Sequence, residues 1–251
     1  MRMYWGHASH TGNTRNINQD AIFLQCVEQK GQYFALGAVC DGIGGLEHGE
    51  LASAFIIDEI KEWFHKVEAW LDISTVNPSV LFAHLKDGAE SWNEKLCEFC
   101  LQEDIRTGTT MSLIMLIKDS YYIIHVGDSR IYRYHDMFEQ LTMDACVARL
   151  KNGRMKNYLD NYMGKSRELW FQALEGKIVP GDMFLFCTDG FYHCMSEADA
   201  VALYDQYRKK NDLSVSCAKM VDTMMNRGEK DNISVGIIIV EQKKGWFWQG
   251  R

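Results

Sequence analysis

Five aspartates mark the boundaries of short apolar runs in this chain, and this pattern constrains the fold more than any other feature of the sequence. The runs cover residues 21–24, 34–40, 121–126, 184–187 and 233–240 and have the composition of buried strands. The aspartates at their ends are Asp20, Asp41, Asp128, Asp189 and Asp231. Three of these acids adjoin a glycine, which lets the backbone turn sharply or brings a carbonyl oxygen close to a ligand.

Each aspartate taken singly has an ordinary structural explanation, since Asp-Gly is a common turn dipeptide and strands often end in Asp or Asn. Taken together, five carboxylates that converge on one sheet edge would repel one another unless cations lay between them. Oxygen ligands suit hard divalent ions, so the pattern predicts Mg²⁺ or Mn²⁺. Zinc is disfavoured because no set of His and Cys residues has its ligand spacing.

Helical and strand-like segments follow one another in blocks instead of alternating strictly. Apolar residues recur at helical spacing over residues 47–71 and 81–99, with Asn77-Pro78 between them, and four strand-like runs follow at 111–117, 121–126, 131–134 and 138–141. We predict a helix over 143–152, a loop over 153–168 and strands at 169–175 and 183–187. Helices at 197–208 and 212–227 then precede a last strand at 233–240. This order favours an α+β fold, with antiparallel sheets and helices packed outside them.

A single domain is the simplest organisation for this chain. The sequence has 251 residues and two prolines, and it contains no linker rich in Ser, Pro or Gly. We predict one domain over residues 1–251, with 241–251 as a short C-terminal extension. The aromatic stretch 246–248 within that extension is interpreted either as a docking patch or as packing at a sheet edge.

Charge and composition exclude several classes of partner. The formal net charge is −7. Proteins bind duplex nucleic acid through a surplus of cationic side chains, which this chain lacks, so nucleic acid is disfavoured as a partner. An anionic membrane surface is disfavoured for the same reason. No window approaches the length of a membrane span, and the N-terminus lacks the apolar core of a signal peptide. We therefore expect a cytoplasmic protein with free cysteine thiols.

Five short motifs resemble, in order, the motif series of the protein phosphatase 2C family, the metal-dependent Ser/Thr phosphatases, in its bacterial single-domain form. They are Arg15-Asn16-Ile17-Asn18-Gln19-Asp20, Asp41-Gly42-Ile43-Gly44-Gly45, Gly127-Asp128-Ser129-Arg130, Thr188-Asp189-Gly190 and Asp231-Asn232. The resemblance extends from about residue 6 to residue 240. It implies two antiparallel β-sheets packed as a sandwich between helix pairs, an αββα four-layer arrangement, with a two-metal site at one end.

The resemblance also implies a set of metal ligands for two core Mn²⁺ or Mg²⁺ ions. Asp41 would bridge both ions, the Gly42 carbonyl would bind one of them, and Asp189 and Asp231 would complete the site. Asp20 would hold metal-bound water or bind directly. Asp128 matches the acid that helps to hold a third, weaker ion.

The implied activity is hydrolysis of phosphoserine and phosphothreonine in one step, by water that the two core ions activate. Arg15 matches the arginine that binds the substrate phosphate and would act with Asp41 and Asp189 in catalysis; its alternative is a solvated surface arginine. The implied partners are phosphorylated proteins, a cognate Ser/Thr kinase among them, and the chain is expected to be a monomer. The alternative is a pseudophosphatase or phosphoprotein-binding module on the same fold, which would not need all of the bridging acids.

Three features depart from the family pattern. Gln19 stands where the family has Glu, and Leu46 stands where bacterial members place a histidine. The stretch between Leu141 and Asp189 is short, so we expect the flap at 151–166 to be trimmed. Because Leu46 cannot donate a proton, the leaving group would receive one from His48 or from metal-bound water. We favour the water, with His48 at the start of the first helix and facing solvent.

Cys100 and Arg106 have the spacing found in cysteine-dependent phosphatases. We interpret the match as chance, because the intervening residues include Glu103 and Asp104, which repel phosphate. Cys100 also ends a helical stripe, whereas such a thiolate needs a loop of inward-facing N–H groups.

Overall fold

The computed structural model describes residues 1–43, 48–151, 154–209 and 212–242. The strands in chain order are β1 (Arg2–His10), β2 (Asp20–Gln29), β3 (Gln32–Asp41), β4 (Met111–Ile117), β5 (Ser120–Val126), β6 (Arg130–Tyr134), β7 (Phe138–Gln140), β8 (Cys146–Lys151), β9 (Arg154–Leu159), β10 (Gln172–Lys177), β11 (Met183–Cys187) and β12 (Ile233–Glu241). The helices are α1 (Gly49–Trp70), α2 (Pro78–Gln102), α3 (Asp189–Tyr192), α4 (Glu197–Arg208) and α5 (Leu213–Asn226).

Two five-stranded antiparallel sheets face each other. The first sheet has the order β1-β12-β11-β6-β7 and the second has the order β10-β5-β4-β3-β2, while β8 and β9 form a separate hairpin. Successive side chains of a strand point to opposite faces. Phe184 and Phe186 of β11 therefore enter the core between the sheets, whereas Met183 and Leu185 face the helices.

Helices cover the outer face of each sheet. On the second sheet, α1 buries Ile56, Ile60 and Phe64, and the Phe64 ring stacks on Phe34 of β3 with the ring centroids 5.1 Å apart. On the first sheet, α4 and α5 cover the outer face, and α5 packs against β1 and β12. The predicted α+β sandwich of four layers, αββα, is confirmed. Within the described ranges, no helix is long and apolar enough to cross a bilayer.

The helix starts follow from local capping chemistry. The side chain of Asn77 accepts a hydrogen bond from the Ser79 N–H, with Pro78 at the first helical position of α2. The side chain of Asp212 accepts hydrogen bonds from the N–H groups of Ser214 and Val215 at the start of α5. The break predicted at Asn77-Pro78 thus separates two helices as expected.

The prediction of a helix over 143–152 is wrong, and so is part of the loop predicted over 153–168. Cys146–Lys151 and Arg154–Leu159 are instead two paired antiparallel strands, with Lys151 opposite Arg154. The sequence between them is Asn152-Gly153, a strong hairpin signal that outweighs the helical spacing of a few apolar residues. That the flap is trimmed stays a prediction.

Other boundaries differ less. The strand predicted at 169–175 runs from Gln172 to Lys177, and the strand β1 was not among the predicted ones. The C-terminal extension lies outside the described residues from position 243 onwards, with its aromatic stretch 246–248. The single-domain boundary therefore stays a prediction.

One aromatic ring fixes the spacing of the two sheets. The ring of Phe186 lies over Gly236 of its own sheet and against Gly37 of the opposite sheet, and a Cβ added at Gly37 would lie 2.7 Å from the ring. Both positions must therefore lack a side chain for the sheets to approach as they do.

We predict that Gly37→Ala lowers the free energy of unfolding by about 1–3 kcal/mol, because the added methyl overlaps the Phe186 ring. Urea denaturation measures this change. Gly37→Ala combined with Phe186→Leu should cost less than the sum of the two single changes, since the smaller side chain leaves room for the methyl. Strict additivity would contradict this account of the contact.

Candidate active site

The antiparallel pairing brings the predicted acidic positions to one end of the sandwich. β2 begins with Asp20 opposite Asp41, the last residue of β3. In the other sheet, β12 begins just after Asp231 beside the end of β11, which leads to Asp189. Asp128 follows β5.

A cleft opens at this end of the molecule. It is lined by Arg15, Gln19, Asp41, Gly42, Ile43, Thr110, Asp128, Leu159, Asp189 and Asp231. Of the predicted site residues, all but Asp20 line this cleft. The charged groups thus come from the ends of five strands: Arg15 and Asp231 precede β2 and β12, Asp41 ends β3, and Asp128 and Asp189 follow β5 and β11.

Asp20 lies beneath the cleft and is buried. Its Oδ2 accepts hydrogen bonds from Thr188 Oγ1 at 2.9 Å and from Ser234 Oγ at 2.7 Å. Its Oδ1 is buried and has no hydrogen-bond partner in the described part of the chain. Burial is the main cause that raises the pKa of Asp20 to about 7, against the two hydroxyl donors.

The backbone at Asp41 and Gly42 is held on both sides. The Asp41 N–H donates to Thr110 Oγ1 at 2.9 Å, and its carbonyl accepts from Thr109 Oγ1 at 2.9 Å. The Gly42 N–H donates to the Gln19 carbonyl at 3.0 Å. A Cβ at Gly42 would lie 2.8 Å from that same carbonyl oxygen, so only glycine fits here.

Asp231 and Arg15 form an ion pair on the cleft wall, with Arg15 Nη2 2.7 Å from Asp231 Oδ2. Asn232 anchors the loop that carries Arg15. Its Oδ1 accepts from the Gln19 N–H at 2.9 Å, and its Nδ2 donates to the Ile17 carbonyl at 3.0 Å. The position of Arg15 therefore depends on the motif that contains Asp231.

Asp189 and Asp128 complete the acidic lining. Asp189 begins α3, and its Oδ1 is buried with no hydrogen-bond partner among the described residues. Asp128 follows Gly127, whose φ of +109° lets the chain turn out of β5. The Cys146 thiol donates to Asp128 Oδ2 at 3.6 Å.

Burial and mutual repulsion make the charged forms of these acids costly. Burial, followed by the carboxylates of Asp20 and Asp189, raises the pKa of Asp41 well above its usual range. Burial raises the pKa of Asp189 to about 6 and also raises the pKa of Asp128. A cation between the carboxylates would reverse these shifts.

The donor set fits a hard divalent ion. The donors are carboxylate oxygens and the backbone of Gly42, which lines the cleft. Two buried carboxylate oxygens, one on Asp20 and one on Asp189, have no hydrogen-bond partner among the described residues. As they stand, the described residues bring no three His, Cys, Asp or Glu side chains close enough to hold an ion.

The sequence analysis did not single out the supporting hydroxyl and amide groups. Thr110, Thr188 and Ser234 hold Asp41 and Asp20, and Asn232 holds the Arg15 loop. Thr188, Asn232 and Ser234 stand within three residues of Asp189 or Asp231, but this proximity does not show which group each of them binds. Thr110 has no acid near it in the sequence and meets Asp41 only because β4 pairs with β3.

His48 and Gln19 meet at Glu50 outside the acidic cluster. Gln19 Nε2 donates to Glu50 Oε2 at 3.3 Å, and His48 Nδ1 lies 3.4 Å from Glu50 Oε1. His48 directly precedes α1 and its side chain is 55% exposed, as the solvent-facing alternative expects. Leu46 lies outside the described residues. Any role of His48 as an acid stays a prediction.

Known proteins match this chain over nearly its whole length. A family model described as protein phosphatase 2C matches residues 8–236. Protein phosphatase PhpP of Streptococcus pneumoniae is 27% identical over 251 residues, covering 92% of this chain and 95% of that protein. Serine/threonine phosphatase stp of Listeria welshimeri is 26% identical over 215 residues, covering 80% and 82%.

Solved structures show the same fold. Serine/threonine phosphatase Stp1 from Staphylococcus aureus superposes with a TM-score of 0.79 at 21% identity, covering 96% of both chains. The catalytic domain of serine threonine protein phosphatase PstP, in complex with two manganese ions, gives a TM-score of 0.72 at 21% identity, covering 96% of this chain and 99% of that one.

The raised pKa values predict an unusual pH dependence for the protein without divalent ions. From about pH 4, where the unfolded chain releases them, up to about pH 6 for Asp189 and about pH 7 for Asp20, the folded chain still holds protons on these two acids. The free energy of unfolding should therefore fall as the pH rises from about 4 to about 7 and level off above that. Thermal unfolding in the presence of a chelator measures this slope.

Millimolar Mn²⁺ or Mg²⁺ should remove most of that slope, because the ions compete with the protons. Asp41→Asn should flatten part of it without added metal, since Asp41 is a buried acid whose own pKa is raised well above its usual range and which would no longer titrate. Stability that rises with pH over this range in the chelated protein would contradict the assignment of repelling, buried carboxylates.

Proposed function

This chain belongs to the protein phosphatase 2C family, and we propose that it is a metal-dependent phosphatase that hydrolyses phosphoserine and phosphothreonine in proteins. One observation carries the proposal: four aspartates, the Gly42 backbone and one arginine line a single cleft at the end of the sandwich. Such a cleft repels a phosphate dianion unless cations occupy it, and with cations it becomes a site for one.

Within this proposal, Asp41, Asp189, Asp231 and the Gly42 carbonyl hold two Mn²⁺ or Mg²⁺ ions, and Asp128 helps to hold a third. When bound, the ions lower the pKa of the attacking water and offset the charge on the phosphoryl oxygens. Asp20 supports the site from below, where Thr188 and Ser234 fix its carboxylate. The PstP domain with two manganese ions supports this cofactor choice.

Arg15 orients the phosphate in this proposal. Its guanidinium is partly exposed on the cleft wall and pairs with Asp231. With the Asp231 carboxylate engaged as a metal ligand, the N–H donors of Arg15 that now pair with it would be free for phosphate oxygens. His48 is absent from the cleft lining, so we expect another donor to protonate the leaving alkoxide.

The partners follow from the reaction. Phosphorylated proteins are the substrates, and a Ser/Thr kinase that phosphorylates them is the expected counterpart. Relatives named as protein phosphatases, such as PhpP, support a role on phosphoproteins. We also propose that the chain acts in the cytoplasm as a monomer and forms one domain over residues 1–251.

Asp41→Asn and Asp189→Asn should each lower Mn²⁺-dependent hydrolysis of p-nitrophenyl phosphate by about 100-fold or more, because each removes a charged ligand. The fold should survive, since neutralising one acid relieves repulsion. Asp58→Asn, on the exposed face of α1, is the matched control and should leave turnover unchanged. Near-normal turnover in either site variant would overturn the metal assignment, and a wild type without turnover would favour a pseudophosphatase.

Arg15→Ala should raise KM for a phosphoserine peptide by about 10-fold or more, because charged hydrogen bonds to the phosphate are lost. Titration calorimetry should show almost unchanged Mn²⁺ affinity. Arg15→Lys keeps the positive charge but not the paired N–H donors, so its KM should lie between the KM values of the wild type and of Arg15→Ala. A large loss of Mn²⁺ affinity in Arg15→Ala would assign Arg15 a structural role instead.

A further inference from the structure

The hairpin formed by β8 and β9 stands apart from both sheets. Among the described strands, these two pair only with each other. The base of the hairpin is fixed at the cleft, since the Ala145 N–H donates to the Gly127 carbonyl at 2.7 Å and Cys146 Sγ contacts Asp128. Leu159, at the other end of the hairpin, lines the cleft. The hairpin therefore begins and ends at the mouth of the site.

Apolar side chains are exposed on this hairpin and beside its base. Met155 is 63% exposed, Met143 is 73% exposed and Trp170 is 82% exposed, and Val147 is exposed too. Gln172 joins two of these positions, because its Oε1 accepts from the Met143 N–H at 3.1 Å and it follows Trp170 by two residues. Exposed apolar residues that cluster mark interaction surfaces, and a lone two-stranded hairpin is only marginally stable in water.

The charge of the hairpin is opposite to that of the rest of the chain. Residues 146–159 include four cationic residues and no acidic one, in a protein whose formal net charge is −7. The four are Arg149, Lys151, Arg154 and Lys156. The Arg149 side chain is largely exposed, and its ion pair with Asp160 is long, at 3.8 Å. The cationic residues thus lie from the middle to the tip of a hairpin whose base borders a cleft lined by aspartates.

Resting on the proposed phosphatase function, we propose that this hairpin docks substrate segments in which acidic residues flank the phosphorylated serine or threonine. Its cationic residues complement the acidic flank, and Met143, Met155 and Trp170 offer contact to apolar side chains of the same segment. When a phosphorylated residue of a polypeptide occupies the cleft, the chain on either side of that residue must pass over a wall of the cleft. Leu159, at the base of the hairpin, is part of one such wall. Anionic lipid or nucleic acid would meet the same charges but presents no phosphoserine to the cleft.

Two phosphoserine peptides test the proposal, one with Asp and Glu around the phosphoserine and one with Asn and Gln at those positions. We expect wild-type kcat/KM to favour the acidic peptide by about tenfold at low salt, and less as salt screens the charges. The variant Arg149→Gln/Lys151→Gln/Arg154→Gln/Lys156→Gln should bring the ratio close to one, through KM and not kcat. If this quadruple variant fails to fold, Arg149→Gln alone should lower the ratio of the two kcat/KM values part of the way towards one.

The matched control neutralises four exposed lysines far from the hairpin: Lys61→Gln/Lys66→Gln/Lys95→Gln/Lys177→Gln. It should keep the wild-type ratio. An equal loss in this control would show a general charge effect and overturn the proposal. So would a wild-type ratio near one while both peptides are hydrolysed.

Fluorescence anisotropy with the same two peptides separates docking from catalysis. One outcome would be a protein that hydrolyses neither the peptides nor p-nitrophenyl phosphate but still binds the acidic peptide more tightly than the neutral one. If the hairpin variant then loses that preference, the docking proposal is confirmed and the proposed phosphatase function is wrong. If instead the hairpin variant loses binding to vesicles of phosphatidylserine and phosphatidylcholine with an unchanged peptide ratio, the hairpin is a membrane contact and the proposal is wrong.

Discussion

Repulsion among carboxylates at one end of the sandwich is the constraint on which the rest of this structure depends. Asp20 and Asp41 begin and end neighbouring strands, so the pairing that builds the sheet also forces their carboxyl groups together. The apolar layers on both sides of each sheet hold the strands in that register. Local charge is therefore destabilising at a place where the sandwich cannot relax, and divalent ions are the natural remedy.

Neutral polar groups hold the acids in place without adding charge. Hydroxyls of Thr188 and Ser234 come from one sheet and bind Asp20 at the start of a strand in the other. Asn232 in turn ties the Arg15 loop to the strand that follows Asp231. The substrate-facing and metal-facing parts of the proposed site are thus joined through one amide, so a change at Asn232 would disturb both at once.

The sequence allowed the sheets and the acidic cluster to be predicted because aspartates interrupt apolar runs at their ends, and the helix break was predictable from Asn77-Pro78. It did not allow the support of Asp20 to be predicted, because Thr188 and Ser234 reach it only after two sheets have packed. The hairpin was missed for a different reason. Its strands lie outside the core, so burial imposes no clear alternation, and a few apolar residues that happen to have helical spacing obscure the Asn152-Gly153 turn signal in the sequence.

The pairing of β1 with β12 has a consequence for attachments to this protein. His10 lies opposite Ile233 near the cleft, so Arg2 and its partner Glu241 lie at the far end of the same ladder. A segment joined directly before Arg2 or directly after Glu241 therefore starts at that far end, nine residues along the ladder from the site. A surface anchor, a fluorescent protein or a linker that closes the chain into a ring can be attached there while the cleft still faces outward.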